Sequence, residues 1–540
     1  MMSFKTAGRL ALVSALMASA SMAQAAFDKP VKTAQGLVAG TAGLKPGVTV
    51  FKGIPFAEPP VGKLRFMSAV PVKTSWKGVR DGSKWGNTCV QPPAPTRAMG
   101  VNQATDMPDS PKISEDCLNL AVWTGAKAAG EKRPVMVWFY GGAYAEGGNS
   151  MPFADGSKLA AKGAIIVAVN YRVGAFGFLS HPDATKMSGH NASGNQALSD
   201  GVAALKWVKA NIAAFGGDPN NVTIFGQSAG ACITAALTGS PQAKGLFHKN
   251  ISQSGAWSGL SPTPMGTREA AEKQTIAAME KAGVKSFADL QALPADQVAK
   301  IARSQSIIID GWIVPEDQSK TFAEGRQNKV PVLVGSNKDD FGGGFGPPMT
   351  LERWKSSAGQ RWGELAELGL AAYPATSDAE AAAANGRTGP EGMNWFMHHF
   401  ANEQARQGQV SYVYQFVHVP PVAEGVKSSG ASHAAELAYM FGNLEMPREV
   451  PDISSPEIAS KSASDLKLAD QMMSYWVNFA RTGNPNGPGL PHWGNVKETK
   501  PNEAMLLQAN DKSAIGPAMS PDAAKLFDGL FQRNVIAKLK

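Results

Sequence analysis

The chain has few of the residues and segments that would build a metal centre, a disulfide scaffold or a membrane anchor. Only three cysteines occur among 540 residues, which excludes a fold held together mainly by disulfide bonds. No Cys-x-x-Cys or His-x-x-x-His spacing is present, so we expect no metal site. No run approaches the ~20 consecutive apolar residues that span a bilayer. We therefore expect neither a metal ion nor a membrane span.

Linkers, repeats and low-complexity tracts are also missing. The length alone would suggest ~3 domains, but nothing in the composition divides residues 26–540, and we expect one large α/β domain with long insertions. The formal net charge is +8, which would suit an anionic substrate but is equally typical of an ordinary solvated surface. Because the basic residues are scattered and no nucleic-acid motif occurs, we expect no nucleic-acid partner.

The N-terminal segment is typical of an exported protein. Lys5 and Arg9 precede an apolar run at 10–17, and a stretch of small residues follows that run. This order is that of a secretory signal peptide, with cleavage expected before Ala26. We therefore expect residues 1–25 to be removed and the mature protein to be periplasmic or secreted.

Alternating strand and helix patterns indicate a sheet covered by helices. The near-continuous apolar runs at 135–140 and 164–169 are typical of parallel strands buried on both faces. Between 195 and 215 the apolar residues recur at helical spacing. Further strands are predicted at 222–225, 250–255, 330–335 and 411–416. This alternation predicts a doubly wound sheet.

The segments outside this alternation predict an edge and a cap. Short strand patterns at 37–40 and 48–51, separated by turns, predict an antiparallel N-terminal edge. The segments at 267–303 and 351–384 are predicted to be helical and to cover the ligand site. In such sheets that site lies at the carboxyl ends of the strands.

A Gly-x-Ser-x-Gly motif at 226–230 is the strongest chemical signal. A β-branched and aromatic run at 222–225 precedes it, and an apolar helix pattern follows at 231–237. A serine on a sharp turn between a strand and a helix is a nucleophile elbow, in which the glycines leave room for a strained backbone. Without this context the motif would be weak in a chain with 57 glycines. With it, we predict Ser228 as a nucleophile.

His433 is the candidate general base. A serine hydroxyl needs a base to take its proton and a third group to orient that base. Behind a nucleophile elbow the acid comes next along the chain and the histidine last. His433 lies in a small-residue loop at 430–436, whereas His418 and His492 are better explained by packing or by the surface. The adjacent pair at 398–399 is interpreted as structural.

The candidate acid lies in the loop after the predicted strand at 330–335. Asp339 and Asp340 both follow this strand, which puts a carboxylate at the edge of the sheet where the serine lies. These residues alone leave both carboxylates as candidates, and the loop is also compatible with an ordinary acidic turn.

A glycine-rich turn at 140–144 is the candidate source of oxyanion donors. It follows the predicted strand at 135–140, and glycines expose backbone N–H groups that bulky residues would cover. A second donor is expected from the residue after the nucleophile, Ala229. The sequence thus supplies both halves of an oxyanion hole.

Several longer motifs identify a family. They are Phe51–Gly62 (FKGIPFAEPPVG), Ser114–Leu120 (SEDCLNL), Asn170–Phe178 (NYRVGAFGF), Phe215–Pro219 (FGGDP) and Tyr475–Pro485 (YWVNFARTGNP). In these motifs and their order, the chain resembles a type-B carboxylesterase, of the carboxylesterase and cholinesterase family, over nearly its whole mature length. The resemblance implies the α/β-hydrolase fold and hydrolysis of carboxylic esters without a metal or organic cofactor.

The resemblance also assigns roles to the candidate residues. Carried over residue by residue, it implies Ser228, Asp340 and His433 as nucleophile, acid and base, and Gly142, Ala143 and Ala229 as oxyanion donors. The chain departs from the family at three positions. The acid position is more often glutamate, so Asp339 stays in contention. Gln227 stands where many animal members have glutamate, which weakens the expectation of cationic choline esters, and Ala143 replaces the third glycine of the oxyanion turn.

Two structural features are implied by the same resemblance. One is a disulfide bond between Cys89 and Cys117, and the other is an ion pair between Arg65 and Glu115. The third cysteine, Cys232, lies in the apolar helix after the elbow, and we expect it to be a buried free thiol.

The expected partner is a small-molecule ester. General short-chain esters, amides, and polycarboxylate (tricarballylic) esters of a fumonisin-type mycotoxin all remain open as substrates. The competing class is a non-catalytic cholinesterase-like binding protein on the same fold. Four aromatic residues are candidates for either pocket or core: Tyr144, Trp257, Phe341 and Phe345.

Overall fold

The structure is a computed structural model. It describes residues 27–92, 111–301, 306–341, 349–446 and 453–539. The predicted signal peptide, its cleavage site before Ala26, and Phe345 lie outside these residues.

The strands fall into one large sheet and two small ones. In chain order they are β1 (Val31–Thr33), β2 (Gly36–Ala39), β3 (Thr41–Ala42), β4 (Thr49–Pro55), β5 (Val79–Asp81), β6 (Asn119–Thr124), β7 (Arg133–Phe139), β8 (Ile165–Val169), β9 (Gly217–Gln227), β10 (Lys249–Gln253), β11 (Gly266–Thr267), β12 (Ile308–Ile309), β13 (Val332–Asn337), β14 (Ser411–Phe416), β15 (Glu503–Leu507) and β16 (Ala514–Pro517).

The helices connect these strands. They are α1 (Ser157–Ala161), α2 (Gly174–Phe178), α3 (Pro182–Met187), α4 (Gln196–Asn211), α5 (Ala229–Gly239), α6 (Arg268–Lys281), α7 (Phe287–Ala292), α8 (Ala295–Ile301), α9 (Gln318–Ala323), α10 (Leu351–Ser356), α11 (Ala358–Trp362), α12 (Ala366–Ala372), α13 (Asp378–Arg406), α14 (Leu437–Phe441), α15 (Pro456–Ala459), α16 (Ala463–Thr482), α17 (Pro521–Phe531) and α18 (Ala537–Leu539).

The large sheet is parallel in its centre and antiparallel at both edges. Its order is β16-β15-β14-β13-β10-β9-β7-β8-β6-β4-β3. The pairings from β8 through β7, β9, β10, β13 and β14 to β15 are parallel. The predicted doubly wound, mostly parallel sheet with an antiparallel N-terminal edge is confirmed. The carboxyl ends of the parallel strands share one edge, so the turns after β7, β9, β13 and β14 meet there.

The N-terminal strand predicted at 37–40 joins a different sheet from the one at 48–51. The first forms β2, which pairs with β1 and β5 in a separate three-stranded sheet. The second forms the start of β4 and lies in the large sheet against β6. A sequence pattern indicates that a strand forms but not which strand it pairs with. The assignment of β2 and β4 to different sheets could therefore not be predicted.

The sheet centre is rigid because its strands are buried on both faces. Every residue of β8 is buried, as its near-continuous apolar run predicts, and β10 is buried as well although it is mostly polar. In β7 the indole of Trp138 packs against the rings of Phe225 in β9 and Phe441 in α14, with centroids 4.9 Å and 5.0 Å away. Aromatic pairs of this kind add to the burial energy, which fixes the strands that carry the candidate site.

The two features implied for the N-terminal region are present. Cys89 and Cys117 form a disulfide bond, and the guanidinium of Arg65 forms a hydrogen-bonded ion pair with the Glu115 carboxylate. The same guanidinium also donates to the carbonyl oxygen of Leu293 at 2.6 Å. Arg65 therefore links the N-terminal loops to the helical insertion that starts with α6.

Among the described residues, no helix is both long and apolar enough to cross a membrane.

Candidate active site

Ser228 lies on a strained turn between β9 and α5. Its backbone has φ 56° and ψ −127°, a conformation that costs a non-glycine residue energy and persists only where the surroundings enforce it. The enforcement comes from close packing, because a Cβ on Gly230 would lie 2.0 Å from the carbonyl oxygen of Phe139. Only glycine at this position lets α5 approach β7 so closely. This close approach forces the chain into the tight turn at Ser228.

The backbone of Ser228 is also anchored on both sides. Its N–H donates to the carbonyl oxygen of Gln253 at 2.8 Å, and its carbonyl accepts from the N–H of Cys232 at 3.0 Å. The side-chain oxygen Oγ is buried and makes no hydrogen bond to any described residue. The structure therefore fixes the backbone of Ser228 but shows no hydrogen bond between its hydroxyl and His433.

His433 is oriented by a carboxylate at one ring nitrogen. Its Nδ1 lies 2.5 Å from Oδ1 of Asp340. A carboxylate only accepts hydrogen bonds, so Nδ1 carries the proton and donates it. The other nitrogen, Nε2, lies 3.2 Å from the side-chain nitrogen of Gln227, which donates to the ring lone pair. In this tautomer the lone pair of Nε2 lies beside the residue that precedes Ser228.

The two candidate acids have different contacts. Asp340 is fully buried, and its second oxygen accepts from the N–H of Asn337 at 3.0 Å. Asp339 instead accepts from the N–H of Ala431 at 2.7 Å and returns its own N–H to the carbonyl of that residue. The geometry therefore favours Asp340 as the group that orients His433, and Asp339 as the group that holds the loop carrying it.

The turn after β7 packs directly against the serine. A Cβ on Gly141 would lie 3.0 Å from Cβ of Ser228, so only glycine fits between the turn and the elbow. The following residues, Gly142 with φ 117° and Ala143 with φ 51°, have backbone conformations that differ from a regular strand or helix. This places the predicted donor turn beside Ser228.

The third predicted donor belongs to a helix terminus. Ala229 is the first residue of α5, and the first N–H groups of a helix have no acceptor within the helix. The positive end of the helix dipole adds to the field at this point. Ala229 is therefore suited to receive developing negative charge.

A second buried carboxyl group lies behind the imidazole. Glu436 is fully buried and accepts from Nε2 of Gln253 at 3.1 Å and from Nδ2 of Asn337 at 2.7 Å. Burial raises its pKa, and the nearby charge of Asp340 raises it further, while the hydrogen bond from Asn337 and the charge of His433 oppose the shift. Asn337 thus links the two carboxyl groups, because its side chain donates to Glu436 and its backbone N–H donates to Asp340.

Sequence reasoning did not identify this group. Glu436 stands three residues after His433, at a spacing that would put both on one side of a helical turn. Gln253 and Asn337 end neighbouring strands, β10 and β13. These positions are signals that could have found the network, although none of them is specific.

The described aromatic candidates differ in exposure. Tyr144 is buried, and its ring packs against Phe178 with centroids 4.9 Å apart. Burial raises its pKa well above the ordinary value, so it stays neutral. Trp257 is half-buried, with its ring centroid 6.3 Å from that of Tyr144. Phe341 is 44% exposed, so it is the candidate that faces solvent.

The other histidines discussed above and the free cysteine take no part in the candidate site. His418 pairs with Asp465 through an Nε2 to Oδ1 contact of 2.8 Å, and His492 is exposed. Burial lowers the pKa of His398 to about 4, so this ring stays neutral, as a structural residue would. Cys232 is buried and free, and burial raises its pKa to about 12, so its thiol is inert at neutral pH.

Comparison with known protein families gives a match over most of the chain. The sequence model described as the carboxylesterase family matches residues 28–356 and 392–523.

The chain belongs to the carboxylesterase family.

Individual relatives are esterases of bacteria and animals. The chain is 35% identical over 512 residues to the fumonisin B1 esterase of Sphingopyxis macrogoltabida, covering 91% of this chain and 88% of that protein. It is 35% identical over 509 residues to the para-nitrobenzyl esterase of Bacillus subtilis (strain 168), covering 89% and 94%. A solved PNB esterase matches with a TM-score of 0.76 at 32% identity, covering 92% of this chain and 99% of that chain. The protein is thus a carboxylic ester hydrolase with the α/β-hydrolase fold.

Proposed function

We propose that the protein hydrolyses carboxylic esters through a covalent acyl-enzyme formed on Ser228. The observation that carries the proposal is the hydrogen bond from His433 to buried Asp340, together with the contact of Nε2 with Gln227, the residue before Ser228 on its strained elbow. A serine hydroxyl reacts only when a base takes its proton and an acid orients that base. Membership of the carboxylesterase family supports the same chemistry.

The first half of the reaction is acylation. The Nε2 lone pair of His433 accepts the proton of Ser228 as the hydroxyl oxygen attacks the ester carbonyl. The imidazolium that forms is stabilised by Asp340 at its Nδ1. The tetrahedral intermediate then collapses, its bond to the alcohol oxygen breaks, and the alcohol leaves with the proton from Nε2.

The second half repeats these steps with water. Water gives a proton to Nε2 of His433 as its oxygen attacks the acyl carbonyl. The bond from the acyl carbon to Oγ of Ser228 then breaks, Nε2 returns the proton to Oγ, and the acid is released. In both halves the oxyanion accepts hydrogen bonds from the backbone N–H groups of Gly142, Ala143 and Ala229. One such donor is worth roughly 2.7–4 kcal/mol of transition-state stabilisation.

The acyl-enzyme can be tested by partitioning. Esters that share one acyl group but differ in the alcohol are hydrolysed in the presence of a competing alcohol. If a common acyl-enzyme forms, the ratio of acid to new ester is the same for every substrate. Ratios that depend on the leaving alcohol would exclude a common intermediate. The Ser228→Ala variant serves as the control for background hydrolysis.

For the substrate, we propose polycarboxylate esters of the tricarballylic type, as in a fumonisin-type mycotoxin. The similarity to the fumonisin B1 esterase supports this choice. The basic charge, which is still +6 (8 − 2) after Lys5 and Arg9 leave with the signal peptide, supports it too, because a basic surface raises the local concentration of anionic substrates. General short-chain esters and amides are the other outcomes of the test.

The substrate test compares two esters of equal size. One carries free carboxylates and the other is neutral, and kcat/KM is measured for both over a range of salt concentrations. We expect kcat/KM to fall with salt for the polyanionic ester alone, because salt screens the attraction. An equal response, or higher kcat/KM for short-chain esters or amides throughout, would contradict the polycarboxylate proposal and leave the acyl-enzyme proposal intact.

We further propose that the protein is exported and that residues 26–540 form a single domain. The basic, apolar and small-residue order of residues 1–25 supports export. Expression of the full chain in a bacterium, followed by N-terminal sequencing of the periplasmic fraction, should give a mature protein that begins at Ala26. Retention of the uncleaved chain in the cytoplasm would contradict export.

A further inference from the structure

Phe341 has a backbone conformation that is rare for a bulky residue. Its φ is 53°, in the left-handed region where a large side chain is a genuine outlier. Its side chain is also 44% exposed, so burial of the ring offers little in return. Outliers of this kind cluster at functional sites, where the surrounding structure imposes them.

The strained backbone brings the ring of Phe341 onto the imidazole of His433. The two ring centroids are 4.0 Å apart and the planes are inclined by 31°. The residue before Phe341 is Asp340, which binds Nδ1 of the same imidazole. One short turn therefore presents a carboxylate to the edge of His433 and an aromatic ring to its face.

These contacts leave the imidazole little freedom. Asp340 binds it at Nδ1, Gln227 contacts it at Nε2, and Phe341 covers one face. A ring on the face blocks rotation about the bond to the imidazole and excludes water from that side. The face of an aromatic ring also attracts a cation, so it favours the imidazolium that forms during the reaction. Among the described residues, the carboxyl groups of Asp340 and Glu436 interact with this imidazole.

We propose that Phe341 is a positioning residue for the reaction: its strained backbone holds the aromatic ring against His433, which keeps the imidazole aligned and stabilises its protonated form. This inference rests on the proposed function, since it assigns His433 the role of the base. Exposed hydrophobic residues elsewhere on the surface need no such role. Phe341 differs from them because strain and contact with the candidate base coincide.

The first test separates strain from contact. In Phe341→Gly the strain is relieved and the ring contact is lost, so we expect an unchanged or higher Tm together with at least a tenfold fall in kcat. A purely structural residue would lower kcat only together with Tm. The control is Lys132→Gly, because Lys132 is exposed and has φ 59°. We expect this control to relieve strain without changing kcat.

The second test measures the imidazole itself and does not depend on activity. His433 is assigned by NMR from the signal that disappears in His433→Gln, and its titration is compared between wild type and Phe341→Leu. Leucine keeps an apolar cover but removes the aromatic face. We expect the titration midpoint of His433 to move about half a pH unit lower, the size of a weak cation–π contact.

The outcomes distinguish this inference from the proposed function. An unmoved midpoint in Phe341→Leu, or full kcat in Phe341→Gly, overturns the role of Phe341 whatever the reaction is. Hydrolysis that persists undiminished in Ser228→Ala overturns the proposed function and leaves the NMR result to decide whether Phe341 supports the imidazole.

Discussion

Replacing Asp340 with asparagine is predicted to abolish most of the activity by fixing the wrong tautomer of His433. In the wild type one carboxylate oxygen accepts from Nδ1 of the imidazole at 2.5 Å and the other accepts from the N–H of Asn337 at 3.0 Å. An asparagine has a single acceptor oxygen, which the N–H of Asn337 will hold. Its NH₂ group then faces Nδ1, so Nδ1 must accept and Nε2 must carry the proton.

The size of the effect follows from that exchange. With a proton on Nε2, the imidazole has no lone pair to take the proton of Ser228. Residue 340 is fully buried, so no water molecule can reach Nδ1 and accept its proton in place of the lost carboxylate oxygen. In serine proteases the same change lowers kcat by about 10⁴, which corresponds to about 5.4 kcal/mol at 1.36 kcal/mol per decade. We expect a loss of this order here.

The matched control is Asp339→Asn. Asp339 accepts a hydrogen bond from the N–H of Ala431 at 2.7 Å, and the amide oxygen of asparagine can still accept it. We expect Asp339→Asn to keep kcat within about tenfold of wild type, because the amide oxygen preserves the contact that holds the loop and the residue makes no hydrogen bond to His433. Both variants are assayed with a soluble chromogenic ester, and circular dichroism verifies that each is folded.

The ordering of the two variants is the decisive result. If Asp339→Asn loses as much activity as Asp340→Asn, or more, the assignment of the acid is wrong. If neither variant loses more than tenfold, no carboxylate in this loop orients His433, and the tautomer argument fails.

Three further predictions concern charge, covalent linkage and pH. Gln227→Glu places a negative charge about 3.2 Å from Nε2 of His433, so the acid limb of the kcat/KM profile should move ~1–3 units to higher pH. Replacing both Cys89 and Cys117 with serine removes a cross-link over a sequence separation of 28, which should cost about 3–4 kcal/mol in denaturant unfolding. Burial raises the pKa of Glu436, so its folded form binds a proton more tightly than its unfolded form. Wild-type stability should therefore fall relative to Glu436→Gln as pH rises above about 4.3.

Each of these has a result that contradicts it. An acid limb that stays in place in Gln227→Glu would mean that residue 227 does not face the imidazole. Equal unfolding free energies with and without the disulfide bond would show that the loop is already ordered in the unfolded chain. For Glu436, the lost acceptor adds a cost that is independent of pH, so only the slope of the stability difference matters, and a flat slope would contradict the shift.

Sequence patterns could indicate Ser228 and Asp340 because each lies in a short turn directly after a strand, whereas His433 lies in the long connection between β14, which ends at Phe416, and α14. The strand at 411–416 is observed at the same bounds, and the elbow helix begins at Ala229. The Gly-x-Ser-x-Gly pattern marks this turn because any residue larger than Gly230 would collide with the backbone of β7. In a parallel sheet, knowing the strand order along the chain is enough to bring Ser228 and Asp340 to one edge.

The groups that sequence reasoning missed depend on contacts across the sheet. Glu436 is held by Gln253 and Asn337, which come from two strands far away along the chain. No pattern in the sequence encodes which buried amide meets which carboxyl. The strain at Phe341 is hidden for the same reason, because a positive φ at a phenylalanine contradicts its own local preference. It arises only when the surrounding fold imposes it.

The measurement that tests the account most directly is stoichiometric labelling with an organophosphonate. The wild-type protein is titrated with the reagent, and the adduct is counted by intact mass and located by peptide mass spectrometry. We predict one adduct per chain on Ser228, a loss of hydrolysis in proportion to labelling, and no adduct on Ser228→Ala. A folded protein that is not labelled, or that hydrolyses esters while labelled at another residue, would contradict Ser228 as the nucleophile.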